Sequence, residues 1–346
     1  KCVTRMRPAL TTASRDFLHE KGIDPVVAGD TTVAYTGLRG HRRNPAGDCA
    51  AYTALAGKHG WSREGDAGVP FVVLDRPGSA DGGLVFDREE VRLDVAGVNR
   101  FSDFYRAGGF DAAGYTINHA HLTFHGLAGF AGCIKSLAMG LTSLKGKYRM
   151  HQSLNPEFDS ERCTTCGLCV GHCPEGALRL DAGSDCPVVD PSNCIGCGEC
   201  VSVCPHRAIE LSGNSIQDWG RGADTIALRM TDYAMGMLQG RWERTIHVLH
   251  MAWITPLCDC LDRRQKPVIR ANPGFLVGKN PFAVDRWGAD IVGKLAREEG
   301  VDLRSELRPA YAAERYVAEQ YGVVPAVAAQ KVPAEQPGVS GRGHRT

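Results

Sequence analysis

The chain has 346 residues, 43% of them hydrophobic and 23% charged, and its 40 basic and 39 acidic side chains leave a formal charge of +1. That apolar share fits a buried core spread over two or three domains and excludes disorder as the main state, because disordered chains are poor in apolar residues and strongly charged. The near-zero charge lacks the basic excess of a nucleic-acid binder, and no apolar run nears the roughly 18–20 residues that span a bilayer.

Residues 8–22 read as a first helix: Pro8 opens it, Leu10, Ala13, Phe17 and Leu18 form an apolar stripe, and Gly22 closes it. Residues 25–28 and 69–74 are short apolar runs with the character of buried strands. Residues 101–107 read as a short helix and 114–124 as a long strand. On that strand a period of two sets His119, His121, Thr123 and His125 on one face and Ala120, Leu122 and Phe124 on the other. Histidines sharing a face suit a metal or an anion, or they are simply satisfied by hydrogen bonds.

A glycine loop follows, with Gly126, Gly129 and Gly132, and then a helix over 133–139 that carries Lys135. Such a loop between strand and helix cradles an anion where the helix amides converge. The alternative is that the glycines serve close packing. The spacing is neither the Rossmann fingerprint nor the P-loop.

Two cysteine runs come next: Cys163-Thr-Thr-Cys166-Gly-Leu-Cys169-Val-Gly-His-Cys173-Pro174 and Cys194-Ile-Gly-Cys197-Gly-Glu-Cys200-Val-Ser-Val-Cys204-Pro205. Both have the C-x2-C-x2-C-x3-C-P spacing of a bacterial two-cluster ferredoxin, in which a tight loop supplies three thiolates and the fourth crosses to the other cluster. The expected ligands are Cys163, Cys166, Cys169 and Cys204 for one [4Fe–4S] cluster and Cys194, Cys197, Cys200 and Cys173 for the other. Structural zinc pairs two C-x2-C units across a gap and fits this pattern poorly. Ligand spacing in place of a disulfide framework points to a reducing compartment, the cytoplasm. Cys2, Cys49, Cys133 and Cys186 read as small structural hydrophobes.

Beyond the runs, Ile226, Met230, Tyr233, Ala234 and Met237 mark an amphipathic helix over 224–239. Residues 245–253 and 268–277 read as strands. After the first of them, Cys258 and Cys260 stand where sites collect in an open parallel sheet, beyond the carboxyl ends of strands. They could face His119, His121 and His125 as a third, softer metal site, or be reduced cysteines in a turn. Asn280 caps a helix that opens on Pro281, with Ala283, Val284, Trp287, Ile291 and Leu295 inward. A last helix covers 309–321.

Strands alternating with helices on both sides of the cysteine runs predict an α/β fold: a mostly parallel sheet with helices on both faces, interrupted by an inserted small α+β module of bacterial-ferredoxin type. The expected divisions are residues 1–153 and 212–325 for the two parts of the α/β domain, 154–211 for the insert, and 326–346 for a disordered tail.

Four segments recur together in one order: Asp30-Thr-Thr-Val-Ala-Tyr35-Thr-Gly-Leu-Arg39, the stretch from His125 through Lys135 to Gly140, Ile254-Thr-Pro-Leu-Cys-Asp-Cys260 and Lys279-Asn-Pro-Phe-Ala-Val-Asp285. From about Met6 to Val324 the chain resembles the uncharacterised iron–sulfur-centre protein family, a domain of unknown function with an inserted ferredoxin-type domain. The resemblance implies iron–sulfur binding without a defined reaction. It also implies an opening strand–helix unit that would precede Lys1. The expected function is electron transfer through two [4Fe–4S] clusters to a partner protein or a reducible ligand. The alternative is a reductive enzyme whose clusters feed a further metal or anion in the α/β domain.

Overall fold

The structure is a computed structural model that describes residues 8–33, 38–39, 49–79, 84–98, 101, 103–125, 128–151, 155–173, 176–191, 193–194, 200, 203–212, 219–257 and 265–323. Within them the protein is a mixed α/β fold with small sheets, only some of them parallel. The largest has three strands. Thr116–His121 and Thr245–His250 run parallel, and Phe275–Gly278 lies antiparallel on the outer side of the second. A separate parallel pair joins Ala28–Asp30 to Phe71–Val73. The expected mostly parallel sheet is therefore replaced, among the described residues, by this three-stranded sheet and several short pairs.

Helices with a clear apolar stripe form where the sequence puts them. Ala9–Glu20 follows Pro8. Trp219–Leu238 buries Ile226, Met230, Tyr233, Ala234 and Met237. In Pro281–Glu298 the Asn280 side chain accepts hydrogen bonds from the amides of Phe282 (3.0 Å) and Ala283 (3.2 Å), which satisfies donors that a helix start leaves open. The last helix begins earlier than expected, at Arg304, and carries Pro309 inside it.

Other expectations fail for identifiable reasons. Residues 101–107 do not form a helix: Asp103–Ala107 is a strand, antiparallel to Glu90–Asp94 and buried along its whole length. Its aromatic pair Phe104 and Tyr105 suits a strand, and burial on both faces erases the alternation that would have marked it. The predicted strand 114–124 breaks at Leu122 into Thr116–His121 and Thr123–His125. The break coincides with a change of partner, since Leu122 donates to His250 O and Phe124 to Thr255 O. Residues 268–277 contribute only the short strand Phe275–Gly278, and the helix at Cys133–Lys135 loosens into a π-type turn over Ser136–Gly140.

The core has two main parts. Phe104, Phe110, Leu137, Met150, Tyr233 and Met237 centre the first. Leu122, Phe124, Leu249, Met251, Val292 and Leu307 centre the second, between the three-stranded sheet and the two C-terminal helices.

The cysteine-rich segment has its own small core, built on Cys169, Leu178, Cys200 and Ile209. Asn155–Phe158 pairs antiparallel with Ile209–Ser212, and Leu178–Arg179 with Val188–Val189. Cys163 and Cys194 stand 31 residues apart, and the same offset links the backbone of the two halves. Asp159 N donates to Ala208 O and Asp190 N to Ala177 O; Cys163 N donates to Asp159 O and Cys194 N to Asp190 O. Phe158 pairs with Ile209 as Val189 pairs with Leu178. The segment is thus a two-fold pseudo-repeat in which the end of each half is tied to the beginning of the other.

Candidate metal centre

Within the pseudo-repeat, Cys169 and Cys200 are buried, Cys163, Cys173, Cys194 and Cys204 are half-buried, and Cys166 is exposed. Cys197 lies outside the described residues. The first loop curls through left-handed backbone at Thr165 (φ 50°) and Gly167 (φ 73°), a conformation that glycine adopts without steric cost. Burial pushes the Cys169 thiol up, and the neighbouring Cys166 and Cys163 add to that by charge. The last cysteine of each run is treated alike: Ala177 N donates to Cys173 Sγ (3.2 Å) and Ala208 N to Cys204 Sγ (3.3 Å). Cys173, Cys204, Cys169 and Cys200 all line the same small core.

Among the described residues, no three His, Cys, Asp or Glu side chains close around a single metal ion. A cubane sets a different requirement, because each thiolate binds its own iron at a separate corner. All-sulfur donors, backbone amides aimed at sulfur and a dry flank fit such a group. The arrangement also brings the last cysteine of each run into the core shared with the other half.

Each of the three histidines of the expected metal face has a hydrogen-bond partner within the chain. His119 Nε2 is 2.9 Å from Ser14 Oγ, and burial pulls its pKa down to about 4. His121 Nε2 donates to Ala252 O (2.7 Å). His125, on the separate strand beyond Leu122, accepts from Ala128 N at Nδ1 (3.1 Å). The neighbour of His121 is a histidine the sequence reading overlooked: His250 pairs with it across the parallel strands, with ring centroids 5.6 Å apart, and stacks on Phe275 at 4.8 Å. Cys258 and Cys260 lie outside the described residues. On the opposite face, Asn118 Nδ2 donates to Cys133 O (3.1 Å) and to His247 Nδ1 (2.9 Å), while Ser136 Oγ donates to Asn118 Oδ1 (2.7 Å). Burial holds His247 neutral, with its pKa down near 3.

At the glycine loop, Gly126 lies outside the described residues, Gly129 packs on Pro309, and Lys135 is half-buried. The amides after Gly132 meet an anion supplied by the chain itself: Asp285 accepts from Cys133 N (2.6 Å) and Ile134 N (2.9 Å). A Cβ at Gly132 would stand 2.3 Å from Asp285 Oδ1, so the glycine admits the carboxylate. Burial pushes Asp285 up to about 7, against the pull of those amides.

A second buried polar cluster sits at the carboxyl ends of the pair Ala28–Asp30 and Phe71–Val73. Lys147 Nζ donates to Thr31 Oγ1 (2.7 Å) and Thr142 O (3.1 Å), and Asp75 accepts from Thr32 N (2.8 Å) and Thr32 Oγ1 (2.6 Å). Asp30 takes Arg39 (2.9 Å) and Tyr52 (2.7 Å). Burial lowers the Lys147 pKa. The only sequence sign of this cluster was the recurring Asp30–Arg39 segment.

Residues 3–290 match the model of a family described as Domain of unknown function (DUF362). No curated protein and no solved structure matches the chain. No described helix is long and apolar enough to cross a membrane.

Proposed function

The chain belongs to the DUF362 family, and from its own residues we propose an iron–sulfur redox protein that carries two [4Fe–4S] clusters and passes electrons to a partner protein or a reducible ligand. Cys163, Cys166, Cys169 and Cys204 hold the first cluster; Cys194, Cys197, Cys200 and Cys173 hold the second. The observation that carries this reading is the 31-residue pseudo-repeat. Because Asp159 N bonds Ala208 O and Asp190 N bonds Ala177 O, the segment following each run's last cysteine lies against the opening of the other half. That favours the crossed ligation which the spacing predicts.

When bound, each cluster supplies one-electron transfer. The protein's part is to hold and tune it. Buried Cys169 and Cys200 exclude water from one flank, and the Ala177 and Ala208 amides donate to ligand sulfur, stabilising the extra negative charge of the reduced state. Cysteines used as cluster ligands and not as a disulfide framework favour a reducing compartment such as the cytoplasm. The balanced charge of +1 gives no basis for nucleic acid as the partner.

Anaerobically purified protein is expected to contain about eight iron and eight sulfide per chain, with interacting EPR signals after dithionite reduction. Crossed ligation makes a sharper prediction. Cys163→Ser and Cys204→Ser should each disturb the same cluster, and the double variant should retain the second one intact. Loss of both clusters in the double variant, with Cys163→Ser/Cys173→Ser sparing one, would overturn the assignment. Zinc without sulfide would overturn the function.

A further inference from the structure

Two fully buried polar atoms on the middle strand of the three-stranded sheet have no hydrogen-bond partner among the described residues: Thr245 Oγ1 and His247 Nε2. Residues two apart on a strand share a face, so the two side chains lie on the same side of the sheet. The parallel register sets Thr116 beside Thr245 and Asn118 beside His247. Asn118 then fixes what His247 can offer. Its Nδ2 donates to Cys133 O, which only accepts, and the same Nδ2 donates to His247 Nδ1 (2.9 Å). Nδ1 is therefore the acceptor, and the ring hydrogen sits on Nε2. A buried donor without an acceptor is costly, and such groups in folded proteins find a protein partner or an ordered water.

We propose that Thr245 and His247 form an internal binding site for one water molecule, which accepts from His247 Nε2–H and shares a hydrogen bond with Thr245 Oγ1. The water extends a continuous run of bonds from Ser136 Oγ to Asn118, and from Asn118 to both Cys133 O and His247. It thereby ties the helix start after the glycine loop to the opening residue of the middle strand. A halide is the competing occupant, because Arg241 reaches Thr116 Oγ1 (3.4 Å), beside Thr245, and its buried Nε also lacks a partner. Arg241 is already held by Asp111 O (3.3 Å) and Ala113 O (2.6 Å) and lies over the Phe110 ring. The two groups that define the site are neutral, His247 because burial pulls its pKa down, and a neutral pair favours a neutral guest.

The test is a high-resolution crystal structure of the anaerobically purified full chain, a second crystal soaked in bromide, and urea unfolding of Thr245→Val. Density is expected about 2.7–3.2 Å from both atoms, with no anomalous bromide signal there. Thr245→Val exchanges the hydroxyl for a methyl group of the same shape. With water in the site the exchange removes one of the water's partners, so the urea midpoint should fall. In a dry site it removes an unpaired buried hydroxyl, so the midpoint should hold or rise. Absent density, or a midpoint that does not fall, would overturn the proposal. An anomalous bromide peak between Thr245 and His247 would overturn it as well, by assigning the site to an anion.

Discussion

Asp285 shows how far a single side chain can be from its sequence neighbours in effect. Its carboxylate caps amides 152 and 151 residues earlier in the chain, a separation at which no periodicity or spacing rule operates. In sequence the glycine loop reads either as an anion cradle or as close packing, and the loop alone cannot tell an external anion from a carboxylate of the chain itself such as Asp285. The raised pKa carries a sign. Asp285 ionises near 7 in the folded protein and near 3.8 when unfolded, so its contribution to stability is complete below about 3.8 and is lost as pH rises toward 7. Asp285→Asn should flatten that dependence and cost about 1–3 kcal/mol from an unpaired buried amide. Denaturant midpoints at pH 5.5 and 7.5 measure both effects. A variant with the same pH slope as the unaltered protein would assign the slope to other groups. The cysteine spacing is a signal of the opposite kind, because the cluster ligation proposed from it would constrain local spacing directly.

Among elements, those that carry their own boundary chemistry were readable. Asn280 followed by Pro281 announced a helix start that its side chain then caps. Asn280→Ala should destabilise the protein by about 0.5–2 kcal/mol without altering iron content, as denaturant unfolding and iron analysis would reveal. Retained stability would mean that packing of Phe282 and Val284 suffices to hold the helix start. Elements fixed by tertiary partners were misread. Asp103–Ala107 is a strand because Glu90–Asp94 pairs with it and helix Trp219–Leu238 covers it, with Gly236 allowing Phe104 to come close. The meeting of His121 with His250 depends on a parallel register between strands separated by more than a hundred residues, and neither strand encodes that register alone.

At the scale of the molecule, the three-stranded sheet joins Thr116–His121, from before the cysteine-rich segment, to Thr245–His250, from after it. The segment itself begins and ends on one antiparallel pair, with Asn155 opposite Ser212. In sequence it is set off by a change in texture along the chain. The small size of the surrounding sheets was not legible there, because strand pairing is decided by partners distant in sequence. Replacing residues 155–212 with a short Gly/Ser turn should leave the far-ultraviolet circular dichroism of the remaining body essentially that expected from its helices, and should remove all iron. A body that fails to fold would show that the insert contributes packing to the rest of the chain.

The Asn155–Ser212 closure also bears on the order of folding. For the two parallel strands of the sheet to meet, the chain must close a loop of more than a hundred residues, an entropic cost that grows with the length of free chain. Once the inserted segment has its ends fixed side by side, that stretch no longer contributes its full contour, and the strands search as if joined by a much shorter connection. If metal loading is what organises the segment, iron supply becomes a kinetic variable for the whole protein. Refolding in the presence of iron and sulfide should then reach the native sheet faster than refolding without them.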